Sequence, residues 1–348
     1  MRDFFKRFGG IVYILLITLA LGIWLLASDE LPIILNTLGD LDARWMWGCV
    51  GCIGLYLFLR AAAIKYYLRS DGHRISWINA TLVTGVGQFY SAITPSASGG
   101  QPLQVLAMIK MGMPASAATA TVSVKFIGFQ LAVMLSGGAL WATHFEAVTQ
   151  QLGPYRWLVT LGYFINAALM VLVALTIFKS RIVDGIVNFF IRLCVRLRLI
   201  KKEEKVRNNA FSALSEYRDA LKRLIDHPRD AIVIIVLCFV QVLSYMSVIV
   251  CLYHGFKLSG AVDSNLLTLQ VLLFIAAAFV PLPGAAGAQE GGFFLFFNGI
   301  FPGDTLLPAM LCWRFFTYYL LLILGFFGVV SNSVGVMIRE NREKKGNE

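Results

Sequence analysis

Long apolar runs separated by short polar loops dominate the pattern along this chain. A run of about 18 or more uncharged apolar residues is long enough to cross a bilayer as a helix. Runs of this kind predict spanning helices at Ile11–Ala27, Trp45–Ile64, about Pro114–Thr143, Trp157–Phe178, Ala231–Tyr253 and about Thr305–Ile338. They lack the short alternating segments of an outer-membrane barrel. In lipid a backbone has to satisfy its own hydrogen bonds, and a helix does so within one segment. The fold class is therefore all-α, a polytopic helical membrane protein. The run Ile11–Ala27 follows a basic start, Met1-Arg-Asp-Phe-Phe-Lys-Arg, as a secretory signal would. No small-x-small cleavage site follows it cleanly, so it is read as the first spanning helix.

Two Pro/Gly-rich interruptions break otherwise apolar sequence: Thr94-Pro-Ser-Ala-Ser-Gly-Gly-Gln-Pro and Leu282-Pro-Gly-Ala-Ala-Gly-Ala-Gln-Glu. A constant shift of 188 residues places Pro95 on Pro283, Gly99 on Gly287, Gln101 on Gln289 and Pro114 on Pro302. The same shift lays Trp45–Ile64 on 233–252 and brings Lys125 within one residue of Arg314. One shift relating all of these predicts an internal repeat. The basic loops predict its orientation, because Lys and Arg concentrate on the cytoplasmic side. The stretch 77–143 then has to begin inside and end outside. The second copy begins outside and ends inside, so the repeat is inverted. Apolar pieces of about 17 residues broken by Pro and Gly fit re-entrant hairpins better than full crossings, at about 77–113 and about 264–300. The expected organisation is 1–178 as the first membrane repeat, 179–229 as a cytoplasmic segment, 230–338 as the core of the second repeat and 339–348 as a cytoplasmic tail. Broken helices leave free backbone groups and helix ends in mid-membrane, and transporters use these to hold polar substrates.

Composition agrees with a membrane chain: 58% of the 348 residues are hydrophobic and 14% are charged. The net charge of +10 invites a nucleic-acid reading. That reading is rejected, because the basic residues sit in a few loops beside apolar runs. The densest is 179–229, where 13 Lys/Arg stand against 6 Asp/Glu. Its first part, with Ile182, Ile186, Phe189, Phe190 and Leu193, predicts an interfacial helix. Phe211, Leu214, Leu221, Leu224 and Ile225 predict a short amphipathic helix after it. Cys49 and Cys52 have CxxC spacing but lie in a spanning helix with no nearby His or Cys, too few for a zinc site. His73, His144, His227 and His254 are scattered, and no nucleotide-binding sequence is visible. No catalytic residues, metal or cofactor are expected.

A charged residue inside a membrane helix is expensive, so each is a functional candidate. Lys125 and Arg314 lie within apolar helices, and Glu290 lies at the tip of the second hairpin. Two cations near the hairpin tips suit a phosphate, aided by the positive ends of the hairpin helices. The alternative is a Glu290–Arg314 ion pair that only fixes packing. Arg60 and Lys65 are expected to snorkel to the cytoplasmic interface. The expected substrate site comprises Pro95, Ser96, Ser98, Gly99, Gly100, Gln101, Lys125, Pro283, Gly284, Gly287, Gln289, Glu290 and Arg314.

The stretch Val280-Pro-Leu-Pro-Gly-Ala-Ala-Gly-Ala-Gln-Glu-Gly-Gly, followed by Trp313-Arg-Phe-Phe-Thr-Tyr-Tyr, resembles the lysylphosphatidylglycerol synthase transmembrane-region family, and Thr94–Pro102 fits the same pattern. The resemblance covers essentially the whole chain. It implies a lipid flippase of the kind joined to the multiple peptide resistance factor, which moves aminoacylated phosphatidylglycerol between leaflets and lowers surface negative charge against cationic peptides. Ten residues follow the last helix here, so the factor's aminoacyl-transferase domain is expected to be absent. Relatives standing alone handle other lipids, polyprenyl-phosphate sugars among them, which leaves the headgroup open. Three readings follow. The first is a translocator of an anionic or aminoacylated phospholipid, with Lys125 and Arg314 on the phosphate and Glu290 meeting an amine or carrying a proton. The second is a membrane-embedded lipid-modifying transferase with Glu290 as general base, for which no nucleophile or metal set is visible. The third is a partner subunit that docks a soluble synthase on 179–229. The expected location is a bacterial-type cytoplasmic membrane with both termini inside. The partner expected is a membrane phospholipid; pairing with a second copy is left open.

Overall fold

The computed structural model describes residues 39–178, 184–185, 187–189, 191–192 and 203–332. The predicted helix Ile11–Ala27, most of the predicted interfacial helix and the tail lie outside the described residues.

Helix α1 spans Ala43–Ser70. The Asp42 carboxylate caps it by accepting from the backbone N–H of Arg44 at 2.9 Å, as an N-cap acid does. The helix runs past the expected end at Ile64, so Lys65 and Arg69 are helical as well. The cause is local. Strong helix formers fill this stretch, and no Gly or Pro occurs until Gly72, whose φ of +80° turns the chain away. Helix α2 spans Trp77–Ile93 with Ser76 as its cap. A 3-10 turn at Pro95–Ala97 leads into α3, Gly100–Lys110. Helix α4 is the 29-residue Ala115–Thr143. A short helix not foreseen from the sequence, α5, occupies Phe145–Leu152, and α6 follows at Arg156–Phe178. Helix α7, Glu203–Asp226, packs on α4 and α6.

The second half repeats the plan. Helix α8 covers Pro228–Gly255, broken in pitch at Ser247. Helix α9 spans Asp263–Ala277, a second 3-10 turn occupies Pro283–Ala285, and α10 spans Ala288–Phe297. Helix α11 runs from Gly303 to Asn332, with Pro308 inside it and a π-helical turn at Phe315–Tyr319. The 188-residue shift carries the first turn onto the second. It also carries the first residues of α3 and α4 onto those of α10 and α11. Backbone geometry repeats as well. Ser96 and Ala97 have φ of 50° and 54°; Gly284 and Ala285 have 61° and 48°. Left-handed φ is uncommon without glycine. Its recurrence at Ser96, Ala97 and Ala285 means the repeat imposes the turn whatever residue is present.

Among the described residues there is no strand, and four helices are long and apolar enough to cross a membrane: α1, α4, α8 and α11. Large apolar side chains face outward, with Trp47, Ile78 and Phe164 about three-quarters exposed, at 73%, 74% and 70%. In water that surface would be a liability; in lipid it is the solvated face. The shorter helices α3 and α10 have 11 and 10 residues. At 1.5 Å per residue each reaches about 16 Å, roughly half of a hydrocarbon core about 30 Å thick.

The two turns pack against each other, and α8 packs on α1 and α4. Helices α2 and α11 approach backbone to backbone at Gly85, Gly325 and Gly328. A Cβ on Gly325 would lie 2.8 Å from the Phe89 nitrogen. Small residues permit such contacts where lipid gives no hydrophobic drive between helices. The Tyr318 hydroxyl, on the π turn, donates to the Ala92 carbonyl at 3.1 Å and ties α11 to the end of α2.

Candidate functional site

Where the two turns meet, α1, α2, α4, α6, α8, α9 and α11 enclose a cavity of about 370 Å³. Three cations reach it, each differently held. Lys125 stands midway along α4 and is 7% exposed. Its Nζ donates to Gln104 Oε1 at 3.0 Å, and Gln104 Nε2 donates to the Val83 carbonyl at 3.2 Å. Gly87 makes this possible: a Cβ there would lie 1.9 Å from Gln104 Nε2. Arg314, just before the π turn, is also 7% exposed. Its Nε donates to Glu290 Oε1 at 2.5 Å and its Nη2 to the Gly284 carbonyl at 3.1 Å. The other carboxylate oxygen accepts from the Gly287 N–H at 2.6 Å. Glu290 therefore closes the start of α10 as a capping box does, while pinning Arg314. The guanidinium also lies over the Tyr318 ring, 5.0 Å from its centroid.

Arg60 is the third. The expectation that it snorkels to the interface is corrected by the structure. Because α1 continues to Ser70, Arg60 stands ten residues, about 15 Å, inside the helix end. It lines the cavity and donates from Nη1 to the Tyr56 hydroxyl at 2.7 Å, while its Nε is buried without a partner. Lys65, nearer the helix end, donates to the Ile75 carbonyl at 2.8 Å. Among the described residues, no carboxylate lies within ion-pair distance of Arg60 or Lys125.

The rest of the polar wall is mostly amide. Gln88, Gln101 and Gln130 come from the first half; Gln241, Gln270 and Gln289 come from the second. Gln130 Nε2 donates to Asn166 Oδ1 at 2.6 Å. Gln241 Oε1 and Gln270 Oε1 are buried with no hydrogen bond. Buried polar groups are ordinarily paired, so these mark a place built for a polar occupant or water.

Of the residues expected from sequence, Ser96, Gly100, Gln101, Lys125, Gly284, Gln289 and Arg314 line the cavity. Pro95 and Ser98 are exposed on the first turn and Gly99 is partly buried behind it. Pro283 is buried in the second turn, and Gly287 and Glu290 brace it from behind. The residues missed are Arg60 and most of the amides. Gln241 carried a signal, being a polar residue within the apolar run Ala231–Tyr253. Cys49 and Cys52 are free thiols; Cys52 Sγ lies 3.9 Å from Cys251 Sγ. No group of His, Cys, Asp and Glu among the described residues could hold a metal ion.

The model of the lysylphosphatidylglycerol synthase TM region family matches residues 11–325. The chain belongs to this family. The match takes in both turns, all three cations and the cavity between them. The chain is also similar to a UPF0104 membrane protein from Archaeoglobus fulgidus, 24% identical over 300 residues, covering 83% of this chain and 86% of that protein. In this family member, then, a multi-pass membrane bundle surrounds a cavity with an amide-rich polar patch, with two cations lacking carboxylate partners among the described residues and a third tied to Glu290.

Proposed function

We propose that this protein is a lipid translocator, moving the headgroup of an anionic phospholipid through the cavity between the two turns. One observation carries the reading. Within an apolar bundle sits a cavity whose largely apolar wall carries three cations, Arg60, Lys125 and Arg314, of which only Arg314 is paired with a carboxylate, Glu290, among the described residues. A buried excess of positive charge is costly unless an anion joins it. A lipid phosphate supplies that charge while its acyl chains remain in the bilayer.

The two broken-helix units, α2–α3 and α9–α10, act as re-entrant hairpins entering from opposite faces. Their helices are too short to cross, and the first turns of α3 and α10 reach the cavity through Gly100, Gln101 and Gln289. The basic segment 179–229 lies on the cytoplasmic side by the positive-inside rule. The family's description, a membrane region of a lysylphosphatidylglycerol synthase, agrees with a phospholipid as cargo.

Reconstitution into liposomes carrying acyl-labelled phosphatidylglycerol or lysyl-phosphatidylglycerol tests this. A membrane-impermeant reductant should quench label beyond the outer-leaflet fraction when the protein is present. Quenching that stops at the outer leaflet for both lipids would sink the translocator reading.

A further inference from the structure

We infer that the headgroup this cavity accepts is a phosphate carrying a neutral polyol, such as glycerol or a sugar, and that Arg60 and Lys125 hold the phosphate. The inference rests on the reading of the cavity as a lipid site, and it changes which residues do the binding. Arg314 is already neutralised: Glu290 Oε1 takes its Nε–H and the Gly284 carbonyl takes its Nη2–H. Among the described residues, Arg60 and Lys125 have only uncharged partners, the Tyr56 hydroxyl and the Gln104 amide. Arg60 also keeps a buried Nε–H without an acceptor. A guanidinium with a free donor beside an ammonium is the arrangement a phosphate oxygen pair completes.

The lack of a receptive acid among the described residues argues against an amine. Glu290 is the one carboxylate there that touches the cavity's cations, and both of its oxygens are engaged, by Arg314 and by the Gly287 N–H. An ammonium headgroup would enter a space that already holds excess positive charge, with no carboxylate to receive it. The acceptors left unpartnered are the amide oxygens of Gln241 and Gln270. Amides both donate and accept, so they complement hydroxyls, each of which does the same. A cavity of about 370 Å³ holds such a headgroup without its acyl chains.

The test uses the full chain purified in detergent, titrated with dihexanoyl phosphatidylglycerol, dihexanoyl phosphatidylethanolamine, dihexanoyl lysyl-phosphatidylglycerol and water-soluble glycerol 3-phosphate. Thermal stabilisation is the readout. Phosphatidylglycerol should bind about tenfold or more tighter than either amine lipid, since a charge-assisted contact is at stake. Arg60→Gln should weaken phosphatidylglycerol by about tenfold, with Arg60→Lys recovering part of the loss. Lys125→Gln should give the same loss and serves if Arg60→Gln does not fold. Gln270→Leu should lower phosphatidylglycerol binding more than phosphatidylethanolamine binding. Amine lipids binding as tightly as phosphatidylglycerol, or Arg60→Gln and Lys125→Gln both binding normally, would overturn the inference. Glycerol 3-phosphate binding as tightly as the lipid would support the polyol-phosphate site and overturn the lipid reading. Selective binding with no movement in liposomes would support the site and remove the translocator.

Discussion

The two halves solve one backbone problem with different chemistry. Each turn ends at a glycine whose N–H needs an acceptor: Gly99 in the first half and Gly287 in the second. In the first, the Thr94 hydroxyl accepts from Gly99 at 2.9 Å. In the second, Leu282 stands where Thr94 would fall, and the Glu290 carboxylate accepts from Gly287 instead. The substitution of an acid for a hydroxyl has consequences one helix away. Arg314 is drawn onto Glu290, whereas Lys125 rests on a neutral amide. One half is thus stapled by charge and the other keeps its charge available. A repeat preserves the path of the chain while freeing the two copies to divide structural and binding duties.

That division can be broken experimentally, most severely at Arg314. Arg314→Ala leaves Glu290 unpaired beside the cavity and should cost about 3 kcal/mol, the low end for removing one partner of a buried pair. Loss of thermal stability in detergent reads it. The double variant with Glu290→Ala should recover part of the loss if the pair is the cause. Next is Gly284→Ala. Its Cβ would lie 2.3 Å from the Tyr318 ring, and its φ is +61°. Overpacking and left-handed strain together should cost about 2 kcal/mol. An unchanged melting temperature would show that the second turn is looser than it looks. Lys125→Met should move stability by less than about 1 kcal/mol, because an apolar residue of similar length removes a buried charge that has no ionic partner among the described residues. It should still weaken phosphatidylglycerol binding by about tenfold in the same titration. Smallest is Ser96→Gly, the counterpart of Gly284. Relief of left-handed strain is offset by the greater freedom of glycine when unfolded, so the change should stay under about 0.5 kcal/mol. If Ser96→Gly and Gly284→Ala shift stability equally, the asymmetry between the turns is wrong.

The repeat was legible because its signals are local. Proline and glycine clustered inside an apolar run mark a broken helix, whereas single ones, such as Pro308 in α11, do not. The pairs Pro95/Pro283 and Gln101/Gln289 therefore located both breaks, although Gln101 and Gln289 prove to stand in the first turns of α3 and α10 rather than in the turns themselves. Lys125 and Arg314 stood out for the same reason. Arg60 did not, because its depth depends on where α1 ends, and helix ends are the weakest part of a pattern reading. The amide wall was hidden for a different reason. Gln88 and Gln130 meet Gln241 and Gln270 across more than a hundred residues of chain, and no short-range period records that meeting. The short helix α5 was missed because His144–Arg156 reads as a neutral loop, although eight residues there close one helical segment.

The glycine contact between α2 and α11 has a mechanical side. Where Gly85 faces Gly325 and Gly328, backbone rests on backbone, and Phe89 of α2 packs on Phe326 of α11 beside the contact. Interdigitated helices have to unlock before they can turn against each other, and that makes packed interfaces stiff. The crossing fixes how closely the two helices sit: a side chain added at Gly85 or Gly325 would push α11 away from α2, and with it the Trp313 and Arg314 side chains that wall the cavity.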